Sequence, residues 1–131
     1  IPKWVDSILN GSNIFINGDG TTSRDFCYID NVVQMNLISA TVKDKKATNQ
    51  IYNVALNERT SLNELYEKIL ERVVLSTPAV SRAKPIYLDF RVGDVLHSQA
   101  DISKARMLLQ YEPSHNISAG LDVAMDWYIN R

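Results

Sequence analysis

The stretch Asn13-Ile14-Phe15-Ile16-Asn17-Gly18-Asp19-Gly20-Thr21-Thr22-Ser23-Arg24-Asp25-Phe26-Cys27-Tyr28-Ile29-Asp30 decides the fold class of this 131-residue chain. Asn13–Asn17 is a brief apolar run bounded by turn formers, and Phe26–Ile29 is a second, so the Gly/Asp/Thr/Ser loop carrying Arg24 joins two predicted strands. Beyond them, Asp30 is placed to accept from the free amides of a helix beginning Asn31-Val32-Val33. Val33, Leu37 and Ala40 form a helical stripe there that fades at Lys43. Strand, loop, strand and helix in succession predict an α/β chain with Arg24 beside a strand start.

Upstream, Trp4, Val5, Ile8 and Leu9 follow the spacing of an apolar helix face, with Pro2 in the first turn and Gly11 as a stop. Downstream, Ile51-Tyr52-Asn53-Val54-Ala55 is short, rich in β-formers and preceded by polar Thr48-Asn49-Gln50, which predicts a buried strand and a βαβ-like unit. Ser61-Leu62-Asn63-Glu64 reads as a capping box, followed by the stripe Leu62, Leu65, Tyr66, Ile69, Leu70 and Val73. Ser76-Thr77-Pro78-Ala79 breaks that helix, and Pro85-Ile86-Tyr87-Leu88 predicts a short strand feeding the loop that holds Arg91. Two more helices are expected, one capped by Asp101 with Ile102, Ala105 and Leu109 inward, and one with Leu121, Ala124, Met125 and Tyr128 inward. The expected architecture is one α/β domain, α+β-like, with about five helices, four short strands and functional loops gathered on one edge, where nucleotides commonly bind. No repeat, low-complexity tract or linker interrupts it.

With 45% hydrophobic and 22% charged residues, the composition is that of a soluble globular domain. A net charge of −1 supplies no field for nucleic acid or an acidic membrane. The one local cluster, Lys43, Lys45 and Lys46, reads as a solvated loop. The single Cys27 excludes an internal disulfide and a cysteine metal site, so cytoplasmic residence is the default expectation. No apolar run reaches the ~18 residues of a membrane span, and no leader pattern is seen. The opening Ile1-Pro2-Lys3-Trp4, without methionine, suggests a piece of a longer protein.

Arg24 and Arg91 are each set in a polar turn, the latter in Arg91-Val92-Gly93-Asp94-Val95-Leu96-His97-Ser98. A guanidinium is planar, permanently charged and forked, so it matches phosphate oxygens in two-point contacts worth about 1.5–3 kcal/mol per charge-assisted bond. Two of them suit a diphosphate. The same spacing allows a plainer reading, because Arg24 precedes Asp25 and Arg91 lies three residues before Asp94, so either pair could form an ordinary surface ion bridge. No catalytic set accompanies them: His97 and His115 lie in different segments without paired metal spacing, and no Gly-x-Gly-x-x-Gly or Walker loop is present.

Taken in order, Ile1-Pro2-Lys3-Trp4, Ile16-Asn17-Gly18-Asp19-Gly20, Thr22-Ser23-Arg24-Asp25-Phe26-Cys27-Tyr28-Ile29-Asp30-Asn31-Val32, Ile51-Tyr52-Asn53-Val54-Ala55, Arg91-x-Gly93-Asp94-Val95-x-His97-Ser98-Gln99-Ala100-Asp101 and the final helix from Gly120-Leu121 to Trp127-Tyr128 cover nearly the whole chain. In this order and spacing the chain resembles the C-terminal, substrate-binding portion of extended short-chain dehydrogenase/reductase enzymes acting on nucleotide sugars. The Ser23–Tyr28 and His97–Gln99 wording is similar to that of bacterial UDP-N-acetylglucosamine/galactosamine 4-epimerases of surface-polysaccharide synthesis. The resemblance implies that Arg24 and Arg91 grip the two phosphates of UDP, that Asp94 accepts from a ribose hydroxyl, and that Phe15 and Asn17 hold uracil, with Ser98 as a lesser polar contact. It also implies an NAD-dependent, homodimeric parent. In such enzymes a tyrosine takes the proton of the sugar 4-hydroxyl and NAD takes and returns the hydride. The glycine fingerprint for NAD and the Tyr-x-x-x-Lys pair are not in these 131 residues, so the segment is expected to bind a UDP-N-acetylhexosamine, to hold no NAD site and to be catalytically silent alone. Two alternatives stand beside this: the same pocket in a nucleotide-sugar dehydratase or decarboxylase, and a noncatalytic nucleotide-sugar-binding or interaction module.

Overall fold

The computed structural model describes residues 1–82 and 84–130. Within them the chain runs α1 (Pro2–Leu9), β1 (Phe15–Asn17), β2 (Ser23–Arg24), α2 (Ile29–Thr41), β3 (Thr60–Ser61), α3 (Leu62–Ser76), β4 (Ile86–Leu88), α4 (Ser103–Leu109) and α5 (Ile117–Ile129). β1 and β4 pair in parallel, with Phe15 opposite Ile86, Ile16 opposite Tyr87 and Asn17 opposite Leu88. Two flanking bonds extend the pairing, Ile86 N–H to Ile14 O at 2.7 Å and Gly18 N–H to Leu88 O at 2.8 Å. β2 pairs antiparallel with β3, and Ser23 also bridges to His97.

Two apolar clusters fill the interior. In the first, Val5 and Ile8 of α1, Ile14 and Ile16, Leu65, Tyr66, Ile69 and Val73 of α3, and Leu121 and Met125 of α5 are buried together. The predicted helices and their inward faces are found here. Ser61 and Glu64 form the expected reciprocal cap, the Glu64 amide donating to Ser61 Oγ at 3.2 Å and the Ser61 amide to Glu64 Oε2 at 2.7 Å. Such a cap contributes about 0.5–2 kcal/mol. The second cluster joins Met35, Ala47, Ala55, Ile102, Ala105, Leu109 and Tyr111, which includes the predicted inward face of α4.

Three expectations are corrected. Phe26–Ile29 is not a strand: the extended pair is Ser23–Arg24, and the chain turns from it directly into α2. The turn is held by the Asp25 carboxylate, which accepts from the amides of Leu56 at 3.0 Å, Asn57 at 3.0 Å and Ala100 at 3.2 Å. Ile51–Ala55 is likewise irregular, and Ile51 is 89% exposed. Among the described residues no strand pairs with it, so its backbone has no ladder to join, and side chains anchor it instead through Tyr52 Oη to Ala47 O at 2.7 Å and Asn53 Nδ2 to Asp101 O at 3.0 Å. The βαβ-like unit expected there therefore does not form. Finally, α2 buries Asn31 and Met35 and leaves Val33, Leu37 and Ala40 exposed, with Asp30 inside the first turn rather than at the cap. Asn31 dictates this rotation: it is fully buried, donates to His115 O at 2.8 Å and accepts from the amides of Ser114 at 2.9 Å and His115 at 3.1 Å, bonds that must be kept once water is excluded. Among the described residues no helix is long and apolar enough to cross a membrane.

Candidate functional site

Because β1 and β4 are parallel neighbours, the loops leaving their C-terminal ends start side by side. The first runs through Gly18-Asp19-Gly20 to Arg24, and the second runs through Asp89 and Phe90 to Arg91 and Asp94. Carboxyl ends of adjacent parallel strands are where open α/β folds collect ligand-binding loops. A cavity of about 610 Å³ opens there, lined among others by Phe15, Asn17, Arg24, Arg91 and Asp94. Five of the six predicted site residues thus share one cavity. Ser98 is the exception: it lies outside the lining, and its amide donates to Ser23 O at 3.1 Å.

The first loop is shaped by two glycines. Gly18 and Gly20 take φ of +78° and +79°, which L side chains rarely adopt, and an added Cβ at Gly18 would collide with the Phe90 ring and at Gly20 with the Asn63 amide. The space they leave lets the loop lie against the second loop and α3. Asp19 locks the turn, accepting from the Thr21 amide at 2.9 Å and hydroxyl at 2.6 Å, bonds that hold its carboxyl below the ordinary range.

Arg24 is half-buried, and its Nη1 donates to the carbonyls of Ser23 at 2.9 Å and Leu96 at 3.4 Å. Those bonds fix the fork while leaving further N–H groups for an anion. Asp25 is occupied by three amides and forms no ion pair with it. Among the described residues the two ion pairs are Arg72–Asp122 and Arg106–Glu112, so the surface-bridge reading of Arg24 and Arg91 is not the arrangement adopted. Arg91 and Asp94 occupy one exposed turn closed by the Asp94 amide on Arg91 O at 3.2 Å. Phe15 is 48% exposed, offering a flat apolar surface, and Asn17 Nδ2 makes a 3.4 Å bond to Asp89 O.

Sequence reasoning missed the wall contributed by α1: Lys3, Trp4 and Ser7 also line the cavity. The Trp4 indole N–H donates to Phe15 O at 3.2 Å, pinning α1 to β1. No local pattern announces this, since the contact spans eleven residues and depends on how the first cluster packs. A second, apolar cavity of about 280 Å³ lies between Tyr28, Ile29 and α5 and includes Cys27, whose thiol burial pushes up. Both histidines are engaged by serines, His97 Nδ1 with Ser23 Oγ at 2.9 Å and His115 Nδ1 with Ser114 Oγ at 2.8 Å. Among the described residues no group of three His, Cys, Asp or Glu is placed to hold a metal.

The NAD dependent epimerase/dehydratase family matches residues 1–55. A UDP-glucuronate 4-epimerase of Thermodesulfobacterium geofontis is 37% identical over 126 residues, covering 95% of this chain and 36% of that protein. Among solved structures, the UDP-N-acetylglucosamine 4-epimerase of Methanobrevibacter ruminantium, in complex with UDP-N-acetylmuramic acid, superimposes with a TM-score of 0.82 at 35% identity, over 98% of this chain and 38% of that one. The UDP-glucuronic acid 4-epimerase of Bacillus cereus, in complex with UDP-glucuronic acid and NAD, does so with a TM-score of 0.83 at 27% identity, over 97% and 38%. The chain spans little more than a third of the length of the relatives it matches. In sequence and fold the described residues are similar to the corresponding third of UDP-sugar 4-epimerases.

Proposed function

We propose that residues 1–131 are the C-terminal nucleotide-sugar-binding domain of an NAD-dependent UDP-N-acetylhexosamine 4-epimerase of surface-polysaccharide synthesis, working in the cytoplasm as a homodimer. The observation that carries this reading is the convergence of Arg24, Arg91, Asp94, Phe15 and Asn17 on one cavity. Two guanidinium forks serve a diphosphate, a carboxylate serves a ribose hydroxyl, and an aromatic face with an amide serves a flat polar base. Phe15, Asn17, Arg24, Arg91 and Asp94 act by binding and orienting; Ser98 keeps at most a secondary contact, since it stands outside the lining.

NAD would supply hydride removal and return in the parent. This sequence has neither the glycine fingerprint nor the Tyr-x-x-x-Lys pair, so the NAD-binding Rossmann domain is assigned to the remainder of the parent, and the segment alone is inactive. The exposed apolar residues Ile29, Val33 and Leu37 of α2 support a parent that adds structure on this side. The N-acetylhexosamine assignment draws support from the M. ruminantium relative. A dehydratase or decarboxylase is the second reading, favoured by the dehydratases that share the matched family.

Calorimetric titration with UDP tests the site. Binding weakened about 10-fold or more by Arg24→Ala and by Arg91→Ala is the expected result, on the scale of one lost charge-assisted contact. Indifference of the folded chain to UDP overturns the site, and a deoxy-keto or decarboxylated product from the full-length parent supplied with UDP-N-acetylglucosamine or its uronate overturns the epimerase assignment.

A further inference from the structure

Lys3 lies on the first turn of α1 and lines the same cavity as Arg24 and Arg91, and no hydrogen bond or ion pair ties its ammonium to another described residue. Its position is fixed from below, because Val5 and Ile8 are buried and Trp4 is bonded to Phe15 O. Three elements therefore present a cation to one space: α1, β2 and the loop after β4.

A lysine in this place is unfavourable for the helix. The N-terminal turn of a helix carries partial positive charge and favours acidic residues, yet α1 has none in its first turn and no side-chain cap. A local rule broken at an exposed position without gain in packing points to a site where ligand contact outweighs stability. The charge count of the cavity agrees. The diphosphate of a nucleotide sugar carries two negative charges, Asp94 offsets one of the arginines, and part of the Arg24 fork is committed to the Ser23 and Leu96 carbonyls. With Lys3, three cations face one carboxylate, and the balance matches the anion.

We infer that Lys3 is a third anion contact of the nucleotide site, an ammonium point charge that supplements the two forks on the diphosphate. This rests on the nucleotide-site reading above. The test is titration of the 131-residue chain with UDP and with uridine at low and moderate salt, for wild type, Lys3→Gln, Lys3→Arg and Arg24→Ala. Lys3→Gln is expected to weaken UDP about 3- to 10-fold and to flatten the salt dependence, while uridine affinity is unchanged and Tm is equal or higher. Lys3→Arg should stay near wild type. Lys3→Gln binding UDP as wild type does, while Arg24→Ala loses it, overturns the inference and leaves the site intact. Equal losses of UDP and uridine in Lys3→Gln also overturn it, since the wall's shape and not its charge would then matter. UDP affinity unmoved in Arg24→Ala as well, or absent in wild type, sinks the site reading and Lys3 with it.

Discussion

The cluster built by α1, β1, α3 and α5 differs from the one beneath α2 and α4 in how its backbone is satisfied. In the first, the short β1 finds β4 beside it, α3 is capped at both the Ser61 side chain and the Ser61 amide, and the large side chains Ile69 and Val73 are fully buried. In the second, Tyr111 is fully buried, yet among the described residues the 51–54 amides donate to no backbone carbonyl, and Ile29, Val33, Leu37 and Ile51 face outward. The lesson is that apolar β-formers make a strand only when a neighbour offers complementary N–H and C=O groups; packing on one side alone leaves an irregular segment. The candidate nucleotide cavity sits on the first, completed region.

The largest test of this contrast is Ile69→Ala, which removes a fully buried side chain from the completed cluster. It should cost about 2–5 kcal/mol by chemical denaturation. A loss under about 1 kcal/mol would mean that the first cluster is not the stabilising one.

Tyr111 probes the second cluster with a smaller effect. Burial, with Cys27 and Asp25 nearby, pushes its phenol up to about 12 from 10.0. The unfolded chain therefore releases this proton first, so stability is untouched below pH 10 and falls as pH rises from there toward 12. Tyr111→Phe should lose about 0.5–1.5 kcal/mol at neutral pH, from the 3.2 Å bond to Ala55 O, and show a flatter alkaline limb in pH-dependent melting. An alkaline limb identical to wild type would place the titration elsewhere.

Ile51→Ser is the smallest change. At 89% exposure it should shift stability by less than about 0.5 kcal/mol, and the amides of 51–54 should exchange with solvent ahead of those of α3. Protection of those amides comparable to α3 would break the contrast by revealing a ladder in this segment.

Much of this was legible residue by residue. The α3 helix is readable because its cap and stripe are local and agree. The helices α1, α4 and α5 are readable from their apolar spacing, and the N-cap position of α4 falls to Ile102, which makes no side-chain cap bond, instead of the expected Asp101. Phe15, Asn17, Arg24, Arg91 and Asp94 are readable as candidates because guanidinium, carboxylate, aromatic and amide chemistry is a property of the side chains themselves, and the structure gathers these five in the lining of one cavity. The strand at 51–55 was misread because periodicity registers the wish to be buried and not the presence of a partner. Val33 and Leu37 were misread as inward because Asn31, a polar residue, took the buried face, and its bonding partners lie more than eighty residues away.

By itself the sequence determined which segments are helical and which residues carry charge, since periodicity and side-chain chemistry act within a few residues. The tertiary structure alone decided that β1 lies beside β4, which brings Arg24 and Arg91 to one cavity, and that α1 adds Lys3 to its lining while Ser98 stays outside. The physical reason is that strand pairing and helix docking are contacts between distant segments, whose energies depend on which partner is present and not on the order of residues within either one.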